Sequence, residues 1–140
     1  EAGMPGEMLY GRTEAEWDEL TANGVAFLTE RARLKTDTTY TELNAVLARR
    51  TGQRPFDFER ADERAAVGHL LGLIVERTYT DREVMLSALV RYLDANDAGP
   101  GFYALAQRMG LIQKNASADA KLEFWIGQVN RTYAVYDGSA

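Results

Sequence analysis

The chain has 140 residues, no cysteine, a single histidine and a formal net charge of −5, with 46% hydrophobic and 26% charged residues. This length suits one domain with one sizeable core, and the lack of cysteine excludes disulfides, thiolate metal sites and thiol nucleophiles. The negative balance argues against a protein that coats nucleic acid nonspecifically, because phosphate affinity requires a dense positive face.

Residues 1–12 contain Gly3, Pro5, Gly6 and Gly11 without sustained periodicity and read as a flexible leader, with one mainly helical domain over 13–140. Thr13 suits a helix N-cap with Glu14 and Glu16 at the positive end of the dipole, and Trp17, Leu20, Phe27, Leu28 and Leu34 carry the helical spacing to about Lys35. Gly24 marks a close helix contact. Thr39 and Glu42 form a T-x-x-E capping pattern for a second helix, with Leu43, Val46 and Leu47 as its buried stripe and Gly52 as its terminator. Pro55 then breaks helix, and Phe56 and Phe58 are expected to pin the connection to the core. A third helix is expected from about Asp62 to Thr78, with Val67, Leu70, Leu71, Ile74 and Val75 inward and Gly68 and Gly72 admitting another backbone. The run Glu83 to Leu93 is read as a strand and hairpin-like wing, because the turn-forming "DANDAG" of Asp94 to Gly99 follows it. Phe102 to Met109 reads as a short helix ended by Gly110. A long C-terminal helix starts at Ser117 or Asp119, and its Leu122, Ile126, Val129, Tyr133 and Tyr136 should pack on the core or on a second copy.

Helix, capped helix, helix, apolar strand and glycine-rich turn together resemble a winged helix-turn-helix. "TTYTELNAVL" followed by "RAAVGHLLGLI" is similar to the DNA-binding part of the alkylguanine-DNA alkyltransferase and alkyltransferase-like families. The matching positions are Thr39, Tyr40, Glu42 and Leu43, then Arg64, Ala66, Val67, Gly68, Leu70, Leu71 and Gly72. Leu86 to Phe102 also resembles a small winged domain of uncharacterised bacterial and phage proteins. The first resemblance implies a winged-helix-like core that binds DNA. It cannot imply alkyl transfer, since the chain has no cysteine to accept the alkyl group.

Under that resemblance Arg49, Arg50, Arg54, Arg60 and Arg64 lie where phosphate contacts form, Arg64 and His69 are candidates on the reading helix, and Arg91 reaches from the wing. The competing reading pairs these arginines with Asp57, Glu59, Asp62 and Glu63 as a solvated ionic surface. No catalytic residue, metal site or cofactor loop stands out: His69 is the one histidine, Ser87 lacks nucleophile-elbow glycines, and "DANDAG" lacks the ligand pattern of a calcium loop. The leading expectation is therefore a non-catalytic DNA-binding domain. The alternative is a protein-interaction or homodimerisation module using Leu122, Ile126, Val129 and Tyr133. No segment suits a bilayer span, and without signs of secretion a cytoplasmic location is expected.

Overall fold

The computed structural model describes residues 8–93 and 97–137. It is mainly α, in the order β1 (Met8–Leu9), β2 (Arg12–Thr13), α1 (Glu14–Arg33), β3 (Thr38–Thr39), α2 (Tyr40–Thr51), α3 (Ala61–Arg82), a 3₁₀ turn (Leu86–Leu89), β4 (Val90–Arg91), α4 (Pro100–Arg108) and α5 (Ala118–Val135). The expected cap residues start the helices. Thr13 Oγ1 accepts from Glu16 N while Glu16 Oε1 accepts from Thr13 N, completing a capping box at α1. At α2 only half of the pattern forms. Thr39 Oγ1 accepts from Glu42 N, but the Glu42 carboxylate is engaged by Thr38 Oγ1 and Arg31 Nη2, each at 2.6 Å. Gly52 ends α2 at φ 74°, donating its N–H to Ala48 O, and Ser117 caps α5. Thr39→Ala is expected to lower the unfolding free energy by about 1 kcal/mol, read from urea denaturation.

Residues 8–12 are ordered within a hairpin and not flexible as expected. Met8 pairs with Thr13 and Leu9 with Arg12 across a two-residue turn in which Tyr10 and Gly11 both have positive φ, the backbone that a tight antiparallel hairpin requires. Trp17 Nε1 donates to Leu9 O at 2.9 Å, fastening this hairpin to α1. Residues 1–7 lie outside the described residues, as do 94–96 of the "DANDAG" turn.

The expected wing also takes another form. Residues 84–90 are all buried, folding as a 3₁₀ turn followed by β4, which runs parallel to β3 with Thr38 opposite Val90 and Thr39 opposite Arg91. Beyond it, Tyr92 N donates to Asp97 O at 3.3 Å. The run is apolar on every side because it separates two halves of the core. Leu86 and Leu89 belong to one buried cluster with Leu20, Leu28, Leu47, Leu70 and Ile74 of α1, α2 and α3. Met85 and Ala88 belong to a second with Val75, Phe102, Ala106 and Trp125 of α3, α4 and α5. Two α5 side chains satisfy the turn's buried backbone: Gln128 Oε1 accepts from Met85 N and Trp125 Nε1 donates to Ala88 O, both at 2.8 Å.

The buried side of α5 is accordingly Trp125, Gln128, Thr132 and the following Tyr136. Val129 and Tyr133 are half-buried against the core, whereas Leu122 and Ile126 stay 43% and 47% exposed. This side brings Trp125 and Gln128 to the buried turn's backbone groups, a demand that an apolar count does not register. Among the α-helical glycines, Gly24 is the close contact, since a Cβ there would lie 2.6 Å from Ile74 Cδ1. Gly68 and Gly72 meet nothing within 4 Å of such a Cβ, so no described backbone uses the space that they leave.

Candidate interaction groove

The predicted nucleic-acid contacts do not converge as a free basic face. Arg50 is paired with Glu30, Arg54 with Glu63, Arg60 with Asp62 and Arg91 with Asp37, at 2.7 to 3.1 Å. The Glu30 contact holds the Arg50 guanidinium above its ordinary pKa, and the same contact lowers that of Glu30. His69 packs edge-on to Trp17 at 4.8 Å between ring centroids and lies 5.9 Å from Tyr10, so it seals the N-terminal hairpin. Arg49 is exposed and forms no ion pair among the described residues. Arg64 forms none either; its Nη1 donates to Phe58 O at 2.6 Å.

One ionic centre is internal, and it joins a residue of the supposed leader to the start of α3. Arg12 and Glu63 are 2% and 3% exposed, with Nη1 to Oε2 at 2.9 Å and Nη2 to Oε1 at 3.3 Å. Glu63 Oε1 also accepts from Arg54 and from Asp57 N. The Arg12 guanidinium lies 4.1 Å from the Phe56 ring centroid. Hydrogen bonding from Arg12 is the main influence holding the Glu63 carboxyl down to about 2, against the opposing effect of burial. No local pattern around Arg12 or Glu63 signals this pair, because the partners are 51 residues apart.

The two loops flanking α2 and α3 build a different feature. Asn44 Oδ1 accepts from Phe56 N and its Nδ2 donates to Phe56 O, a two-bond clamp that fixes the α2–α3 connection and sets Phe58 beside α3. Across from it, the Tyr40 and Tyr92 rings lie 5.2 Å apart, and Tyr40 Oη donates to buried Ala98 O. Burial pushes the Tyr40 hydroxyl well above its ordinary range, so it stays a neutral donor. Gly99 makes the Tyr92 position possible: its φ is 90°, and a Cβ there would fall 2.8 Å from the ring.

Between these walls runs a groove of about 780 Å³. Tyr40, Phe58, Val67, Tyr92 and Leu93 supply its apolar surface, and Ala65, Gly68 and Gly101 keep parts of it shallow in side-chain bulk. Thr41, Pro100 and Arg64 complete the lining, which contains no acid among the described residues. The volume lies within the range of ligand clefts, and a mostly apolar lining with a few polar groups is the usual composition of such clefts. Sequence reasoning named Tyr40, Val67 and Gly68 within helices and as positions of the family resemblance, and Arg64 as a candidate contact, but the groove itself was not legible, because a cavity shared by three elements leaves no periodic signal.

Among the described residues, no group of three or more His, Asp or Glu side chains is placed to hold a metal ion, and no helix is long and apolar enough to cross a membrane. No protein-family model, no curated protein and no solved structure matches the chain. What fold and groove define is thus a class: a small helical domain with a preformed apolar cleft.

Proposed function

We propose that this chain is a non-catalytic interaction module that receives an apolar side chain of a partner polypeptide in the groove between α2, α3 and the start of α4. The observation that carries this reading is the groove itself, with aromatic walls beside the exposed, empty space over Gly68. Solvent-exposed aromatic and apolar surface grouped in a concave patch is what partner anchors fill. Gly68→Phe tests it. A Cβ added there meets nothing within 4 Å, and the substitution replaces a glycine inside a helix, so thermal stability should hold or rise slightly. Peptides selected from a random display library on the parent chain should lose at least tenfold in affinity for Gly68→Phe. Equal affinity for both chains would remove the groove from consideration.

DNA binding is the second reading, supported by the family resemblance and by Arg49 and Arg64, which lie outside the ion pairs. It requires a low-salt gel shift that weakens in the Arg49→Ala and Arg64→Ala variants. Homodimerisation draws on the exposed Leu122 and Ile126, and light scattering at high concentration tests it.

A further inference from the structure

Among its described lining residues, the groove carries charge of one sign. Arg64 is the charged residue among its described lining, and the acids closest to it in sequence are already occupied: Asp62 by Arg60, and Glu63 by Arg12 and Arg54. One N–H of the Arg64 guanidinium is tied to Phe58 O, which orients the group without neutralising it. A guanidinium presents several donors in a planar fork, so the remaining donors can bind a carboxylate in a charge-assisted pair. Beside it, Ala65 and Gly68 offer little side chain, and a partner main chain can approach the helix closely there.

Resting on the groove reading above, we infer that the occupant is a polypeptide segment with a bulky apolar side chain and a carboxylate within the next few residues. The apolar group fills the space between Phe58 and Tyr92 above Gly68, and the carboxylate pairs with Arg64. Charge complementarity selects this occupant over a nucleic acid. One cation among the described lining residues, on a chain of net charge −5, matches one carboxylate, whereas a polyphosphate strand draws its affinity from many cations together. The pair also gives the module a means of choosing among apolar segments, since electrostatic complementarity contributes specificity even where its net affinity is modest.

The test uses the full chain and nine-residue peptides, acetylated and amidated, each with a central Phe, Leu or Trp in a Gly/Ser background. Glu, Gln or Lys occupies the third position after the apolar residue, and affinity is read by fluorescence anisotropy. The Glu peptides should bind about tenfold more tightly than the Gln peptides, and added salt should narrow the gap. Arg64→Gln should abolish the difference while keeping a cooperative melt, and Gly68→Phe should weaken every peptide. If Glu and Gln peptides bind the parent equally and both lose affinity in Gly68→Phe, the charge inference is overturned and the groove reading stands. If no peptide binds the parent, both fall. Two further outcomes overturn the peptide: a single-stranded 20-mer oligonucleotide that binds the parent but not Gly68→Phe, or a concentration-dependent dimer abolished by the same substitution.

Discussion

Glu63→Ala should destabilise the fold by about 3–5 kcal/mol, the largest single effect expected outside the apolar core. The reason lies in what remains behind. Arg12 stays buried beside Phe56 and Trp17 with its charge uncompensated, and Asp57 N and Arg54 lose an acceptor. Glu63→Gln should be milder, because an amide retains one acceptor oxygen. Replacing both partners together, Arg12→Met with Glu63→Leu, should recover much of the loss, since removing both charges also removes their desolvation cost. Urea midpoints for Arg12→Met, Glu63→Leu and the double variant measure the coupling; additive losses would show that the pair does not act as a unit.

The same pair sets a pH dependence. The Glu63 carboxyl is held at about 2 in the folded chain against an ordinary 4.5. A depressed folded value means that the unfolded chain takes up the proton first. The associated stability, about 3 kcal/mol, is therefore complete above about pH 5 and lost as pH falls through 4.5 toward 2. Glu63→Gln should flatten that limb of the stability curve. An unchanged acid limb in this variant would assign the acid sensitivity to other carboxylates.

Gly99→Ala is the second large effect, at about 3 kcal/mol. Gly99 has φ 90° and ψ 166°, a backbone region that side chains with a Cβ scarcely enter, and the added methyl would collide with the Tyr92 ring. The substitution should therefore cost stability and also displace a wall of the groove, weakening any ligand seated there. Gly101→Ala two residues on is the control. It lies in the helix with open space around its Cβ, and thermal melting should show it as stable as the parent or slightly more so. Equal melts for the Gly99 and Gly101 variants would remove the backbone argument.

Most helix starts and stops were legible in the sequence because they are local. Thr13, Thr39 and Ser117 bond to amides three residues away, and Gly52 takes a left-handed conformation that favours glycine. The third helix runs four residues past its expected end at Thr78, to Arg82, because nothing in that stretch stops it before Glu83 turns left-handed. The N-terminal hairpin escaped notice since its turn uses Tyr10 at φ 54°, a residue that carries no strong turn signal. The candidate site was less legible. Arg50, Arg54, Arg60 and Arg91 could be recognised as a basic set, and the competing ionic reading already named Asp62 and Glu63, which pair with Arg60 and Arg54; Glu30 and Asp37, the partners of Arg50 and Arg91, lie 20 and 54 residues away and left no local signal.

Sequence alone determined a mainly helical chain, the caps of its helices and the exclusion of thiol chemistry, since each depends on residue identity or on contacts within one turn. Tertiary structure decided the rest. Only when α3 packs beside the α2 start do Tyr40, Phe58 and Gly68 share one cavity, and only the folded hairpin buries Arg12 against Glu63. The physical reason is range. Capping and helical periodicity act over three or four residues, whereas a groove and a buried ion pair are made by elements tens of residues apart, brought together by the burial of a common core.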